Sequence, residues 1–203
     1  MAGTLVDFIR HGEPVGGRRF RGHGVDDPLS DTGWQQMWDA VGDNVPWSQL
    51  VSSPMQRCHA FAVALQERYG LPVEVDTRFR EVGLGDWEGL SAEQIMARDE
   101  AEYRAFYRDP QRNRPRGSES LESFGARVAE ALESVFSEYR GSHVLVIAHA
   151  GVIRAALGYV LCSEPASWYR ARIDNAAFTR FLCGRYGRKL EFHNRPRLPE
   201  GSA

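Results

Sequence analysis

Several large classes of protein are excluded by what this sequence lacks. Cys58, Cys162 and Cys183 are odd in number, widely spaced and never in a C-x-x-C pair. That pattern excludes a disulfide framework and a zinc ribbon and leaves reduced thiols as the expectation. No apolar run approaches the ~20 residues of a membrane-spanning helix. The first residues also lack the charged start and apolar core of a secretion signal, so a cytoplasmic location is expected. A basic excess is missing as well: 25 Lys and Arg against 27 Asp and Glu give a formal net charge of -2. Nucleic acid and membrane surfaces are therefore not the expected partners, and a small molecule is. Internal repeats are absent. What is present is 203 residues, 42% of them hydrophobic, enough for one α/β domain with a sizeable core.

Residues 5–9 form a short apolar run interrupted at Asp7 and ended by Gly12 and Pro14, which predicts a buried strand that stops on Arg10, His11 and Gly12. Residues 15–28 are rich in Gly and Arg and read as a loop. Ser30 or Asp31 caps a helix over about residues 32–41. A second strand at 50–53 leads into a helix with Ser53 as cap, Pro54 at its first position and Gly70 at its end. Residues 73–75 read as a third strand. The stretch 80–89 has three glycines and no period, and loops of this kind inside compact domains usually serve function. Ser91 opens a short helix, and the polar run that follows makes 81–117 an expected lid or excursion over the site. Residues 121–139 carry an amphipathic helical stripe stopped at Gly141. Residues 144–148 are continuously apolar, as in a central parallel strand, and end on His149, Ala150 and Gly151 before a helix over 152–161. Late strands at 178–183 and 189–193 pair as a hairpin around Gly184 to Gly187, and 196–203 reads as a frayed tail.

Arg10, His11, Arg57 and His149 thus lie at strand ends or at the helix starts just after them. In open α/β sheets that edge is where ligands bind. A guanidinium offers a planar fork that matches phosphate oxygens. An imidazole can attack phosphorus covalently without a metal, and charge neutralisation then dominates the transfer. Glu81 and Glu88 are the carboxylates on offer in the glycine-rich loop, and Glu81 is the candidate proton donor. A metallophosphatase is disfavoured because His11, His23, His59 and His149 show neither H-x-x-x-H nor paired-Asp spacing. Cys58 fails as a nucleophile because no arginine follows it within a short anion-binding loop. No cofactor is expected.

Four blocks carry a resemblance: Arg10-His11-Gly12-Glu13, Ser52-Ser53-Pro54-Met55-Gln56-Arg57, Glu81 with Gly85-Asp86-Trp87-Glu88-Gly89, and Ala148-His149-Ala150-Gly151. Together, and in this order, they resemble the histidine phosphatase superfamily, also called phosphoglycerate mutase-like. The resemblance implies a three-layer α/β/α sandwich with a mostly parallel central sheet. It implies His11 as the phosphorylated nucleophile, Arg10, Arg57 and His149 as the phosphate pocket, and Glu81 as proton donor. Phe20-Arg21-Gly22, Asp27-Pro28-Leu29 and Gly33-Trp34 are further similar to α-ribazole phosphatases of cobalamin biosynthesis, and Arg21 and Gly22 join the expected substrate-binding residues. Gly17 stands where phosphoglycerate mutases usually carry asparagine, which disfavours mutase activity. Pro14 replaces a Thr or Ser of many relatives. Fructose-bisphosphatase activity, a non-turnover phospho-ligand module, the role of the basic run at 108–116 and a homodimer stay open.

Overall fold

Apolar runs that are hydrophobic on both sides can be buried only in a central strand with layers above and below. In the computed structural model, which describes residues 3–199, those runs become β1 (Thr4–Arg10) and β4 (His143–Ala148), which pair in parallel. With β2 (Gln49–Ser52), β3 (Val73–Val75), β5 (Phe178–Gly184) and β6 (Gly187–Arg195) they form a six-stranded sheet of order β3-β2-β4-β1-β5-β6. The first four strands of that order are parallel; β5 pairs antiparallel with β1, and β6 pairs antiparallel with β5.

Alternation along the strands divides the core into two. Val6, Phe8, Val144 and Val146 face α4 (Leu121–Glu138) and α5 (Ala150–Val160), while Ile9, Leu145 and Ile147 face α1 (Asp31–Val41) and α2 (Gln56–Tyr69). The result is the three-layer α/β/α sandwich. Among the described residues no helix is long and apolar enough to cross a membrane.

Ser30, not Asp31, caps α1, its hydroxyl accepting the Gly33 amide. Ser53 does not cap α2: its hydroxyl meets His149, and the helix starts later, with Met55 at its uncapped N-cap. The short helix expected after Ser91 is α3 (Ala92–Arg108), 17 residues long and kinked at Asp99. There the Asp99 side chain accepts the Glu102 amide at 2.9 Å and caps a second segment that buries Phe106. The loop 80–89 is anchored rather than loose. Trp87 is buried against Phe20 and Phe106, with ring centroids 5.4 and 4.9 Å away. At the other end of the chain Leu198 packs on the α1/α2 core, contrary to a frayed tail, and residues 200–203 of that expected tail lie outside the described residues.

Asp7, the polar interruption of β1, is fully buried. It accepts hydrogen bonds from Trp47 Nε1 and His143 Nε2, each at 2.8 Å, and from Arg180 Nε at 2.7 Å and Nη2 at 3.0 Å. Burial alone would raise its pKa, but the bonds from His143 and Arg180 win and hold the carboxyl below its usual 3.8.

Candidate active site

Parallel register fixes the centre of the site. Arg10 and Ala148 are partners across β1 and β4, so the residues that follow them emerge side by side, and the His11 and His149 rings sit 5.2 Å apart between centroids. His11 Nδ1 lies 2.7 Å from the Gly12 carbonyl. A carbonyl can only accept, so Nδ1 carries the proton and Nε2 keeps its lone pair. Burial, and then the charges of Arg10 and Arg57, hold His11 well below its ordinary 6.5. Burial and the charge of Arg57 do the same to His149. Both imidazoles are neutral at physiological pH.

His149 Nε2 pairs with Ser53 Oγ at 2.7 Å, and the Cys58 thiol lies 3.6 Å away. That thiol donates to the Ala148 carbonyl, and burial pushes its pKa up. Cys58 is thus a packing group behind His149, with no thiolate to offer.

Arg10, last in β1, donates from Nη1 to the Ile173 carbonyl at 2.7 Å, and burial pushes its pKa down to about 10. Arg57, in the first turn of α2, is 1% exposed and donates to the Val25 and Gly22 carbonyls, each at 2.9 Å. These two carbonyls fix a cation at a helix end that would otherwise repel it. Among the described residues its ion-pair partner is Asp26, at 3.8 Å. The Nε groups of both arginines are buried and have no hydrogen-bond partner among the described residues.

Arg21 ties down the loop that carries it: its guanidinium meets Asp27 at 2.8 Å and donates to the Val15 and Gly17 carbonyls. Its charge still reaches His11. Gly22, at φ 55°, turns its carbonyl toward Arg57, and a Cβ there would run into the Glu88 carboxylate. Glu88 itself accepts the Leu84 amide at 2.9 Å and shapes the turn. Of the basic run 108–116, Arg112 is exposed beside Asp109, whereas Arg114 turns inward and donates to the Gly83 carbonyl at 2.9 Å.

Glu81 comes to the same place from the glycine-rich loop. Its carboxylate accepts the Val82 amide at 2.9 Å and, at 3.2 Å, the Gly151 amide in the first turn of α5. A Cβ on Gly151 would collide with that carboxylate. The Glu81 carbonyl is held by Arg127 Nη2 and His23 Nδ1, both at 3.1 Å, and Arg127 is clamped by Glu119 through two 2.8 Å bonds. The sequence reads Ser53 as a helix cap, weighs His23 only as a metal ligand and does not single out Arg127, because partners of a distant ring or backbone carbonyl follow no spacing rule. A Cβ on Gly12 would run into the Gly33 backbone, and one on Gly33 into the backbone of Glu13, the residue next to Gly12. A cavity of about 740 Å³ lies on α3, lined by Tyr103, Arg104, Tyr107 and Arg108, and none of these is a strand-end residue. Among the described residues no group of three or more His, Cys, Asp or Glu is placed to hold a metal ion.

The sequence profile of the histidine phosphatase superfamily (branch 1) matches residues 6–196. Glucosyl-3-phosphoglycerate phosphatase of Mycobacterium tuberculosis is 35% identical over 209 residues, covering 96% of this chain and 92% of that protein. A bifunctional protein of the same organism is 31% identical over 180 residues, or 87% of this chain, which spans only 49% of that relative's length. Among solved structures, mycobacterial glucosyl-3-phosphoglycerate phosphatase superposes with a TM-score of 0.83 at 32% identity, covering 94% of this chain and 98% of the other. The α-ribazole phosphatase of Shigella flexneri superposes with a TM-score of 0.79 at 25% identity, covering 96% and 98%. The profile match runs through every residue at the strand ends and through Glu81, and the chain belongs to the histidine phosphatase superfamily, branch 1.

Proposed function

We propose that the protein is a metal-independent phosphomonoesterase acting through a phosphohistidine on His11. The observation that carries this reading is the meeting of two neutral, buried imidazoles with two buried guanidinium Nε–H groups that no acceptor among the described residues satisfies. Unsatisfied buried donors are rare and costly. A tetrahedral phosphoryl group supplies the acceptors they need, and its charge offsets Arg10 and Arg57.

His11 Nε2 attacks phosphorus, the P–O ester bond breaks, and the Glu81 carboxyl gives its proton to the leaving oxygen. Water then attacks the phosphohistidine, Glu81 takes a proton from it, and the P–N bond breaks to release inorganic phosphate. His149, aligned through Ser53, and the two guanidinium groups neutralise the charge on the phosphoryl oxygens. Gly22 sets Arg57 through its carbonyl, and Arg21 adds field and loop order to the same pocket. The carboxylate seat on Gly151 keeps Glu81 on the leaving-group side throughout.

The substrate class is a small-molecule phosphate monoester. Two named relatives supply candidates: glucosyl-3-phosphoglycerate, from the 35% identical relative, and α-ribazole phosphate, from the sequence blocks and the Shigella flexneri structure. Residues 81–117, which carry Glu81, cover the leaving-group side as its lid. Reaction with p-nitrophenyl phosphate in EDTA, quenched in denaturant, tests the mechanism. An acid-labile, base-stable phosphoenzyme is expected, and His11→Ala should give neither this species nor steady-state turnover. Ordinary turnover by that variant would exclude covalent catalysis at His11.

A further inference from the structure

The Arg10 guanidinium is oriented by a turn of chain that carries no catalytic group. Among the described residues its hydrogen-bond acceptor is the Ile173 carbonyl, at 2.7 Å. That carbonyl belongs to residues 171–177, which lie outside helix and strand and lead into β5. Two backbone bonds join this turn to the end of β1: the Arg10 amide donates to the Ala177 carbonyl at 3.2 Å, and the Ala176 amide to the Arg10 carbonyl at 3.0 Å. Ala176 itself sits at φ 55°, a left-handed conformation that an alanine keeps only when its surroundings impose it.

What holds the turn from outside is the edge strand. Two steps along β5, from Phe178 to Arg180, face three along β6, from Arg195 to Phe192. The extra residue makes a bulge, a device that re-aims the side chain it carries. Asn194, within that bulge, is at φ 55°, which asparagine tolerates better than most residues. Its side chain grips Asp174 twice: Oδ1 accepts the Asp174 amide at 2.7 Å, and Nδ2 donates to the Asp174 carboxylate at 2.9 Å. Beside it His193 accepts the Thr179 hydroxyl on Nδ1 and donates from Nε2 to the Arg172 carbonyl, each at 2.9 Å. The Asp174 N–H and the Ile173 C=O are the two ends of one planar trans peptide and point in opposite directions. Asn194 therefore holds one end of the peptide plane whose other end receives Arg10, and hydrogen bonds arranged head to tail in this way polarise one another. We infer that Asn194 is a positioning residue of the phosphoryl pocket: by fixing the peptide plane between Ile173 and Asp174 it fixes the direction of the Arg10 guanidinium. This rests on the phosphatase reading above, in which Arg10 meets the phosphoryl oxygens.

Asn194→Gly tests it, because glycine keeps the backbone conformation and removes the grip. A hydrogen bond from a charged donor is worth on the order of 10- to 100-fold, so a misdirected Arg10 should weaken binding of inorganic phosphate by about tenfold in calorimetry. The kcat/KM for p-nitrophenyl phosphate should fall in parallel. In an Arg10→Met background the same glycine substitution should change kcat/KM by less than about twofold, since the group it aims is gone. Asn194→Asp sets a carboxylate against a carboxylate and should also be impaired; adding Asp174→Asn exchanges donor and acceptor across the pair and should restore phosphate affinity. Circular dichroism and urea midpoints establish that each variant is folded. Unchanged phosphate affinity in folded Asn194→Gly, whatever its urea midpoint, would overturn the inference, because a purely structural role lowers the midpoint alone. So would an equal loss of kcat/KM with and without Arg10, or an exchanged pair that stays as impaired as Asn194→Asp. A parent protein that binds no phosphate and hydrolyses no ester would instead remove the phosphatase reading, and this inference with it.

Discussion

Two clusters of buried charge share β1, and they are built on opposite plans. Around Asp7 a carboxylate is matched by Arg180, His143 and Trp47, so each charge is answered inside the protein. Around His11, four positions beyond Asp7 and just past the end of the same strand, two buried guanidinium groups meet backbone carbonyls, and their Nε groups have no hydrogen-bond partner among the described residues. The first cluster is complete as folded, whereas the second, on the phosphatase reading proposed above, is completed by the phosphoryl group of a substrate. Buried charge by itself therefore does not mark a site in this fold; buried charge left unanswered does.

The contrast can be broken from either side. Glu81→Gln should slow turnover of alkyl phosphates by roughly 10²- to 10⁴-fold, the usual range for a general acid. The loss should shrink for nitrophenyl esters, whose leaving groups need little protonation. An equal loss on both kinds of ester would give Glu81 a purely structural role. Asp7→Asn works in the other direction. It strands Arg180 in the core and should cost about 3–5 kcal/mol in urea unfolding, while the molecules that stay folded keep their kcat. A matching loss of kcat would mean that the two clusters are coupled.

The smallest effect is the most diagnostic. His11 and His149 are held neutral in the folded state, below an ordinary 6.5. The unfolded chain therefore binds more protons once the pH falls through about 6.5, and stability drops by up to about 1.4 kcal/mol per pH unit for each histidine. Asp7 is likewise held deprotonated, there as the charged form, and acts with the same sign. Its pKa is depressed, so its contribution is intact above 3.8 and fades only below it. Urea midpoints measured in phosphate-free buffer should thus fall between about pH 7 and pH 5 in the parent protein, and fall less steeply in His11→Asn. An unchanged slope in that variant would show that the imidazole is not kept neutral.

The strand-end histidines were legible in the sequence because five-residue apolar runs have few ways to be buried, and each run ended on His followed closely by Gly. The helix beyond Ser91 was harder to read. Its length depends on Asp99 recapping it and on Phe106 finding the Trp87 cluster, contacts made only in the folded chain. Asp7 read as an interruption because its partners come from β4, β5 and the loop before β2. The cap at Ser53 failed for a related reason: its hydroxyl had a better partner 96 residues away in His149. Local rules located the chemical groups at the site; distant backbone carbonyls and hydroxyls decided how those groups are aimed.

The contact between Gly12 and Gly33 sets the tolerance of the whole arrangement. With only hydrogen atoms between the His11 loop and the first turn of α1, no side chain cushions one against the other at this contact. A single methyl group at either position would meet the facing backbone and push the His11 loop and α1 apart, and where a ring must be aimed at a reacting atom an error of about 1 Å costs on the order of a hundredfold. The aim of the imidazole is thus set from behind, by how closely α1 rests on the backbone that follows it.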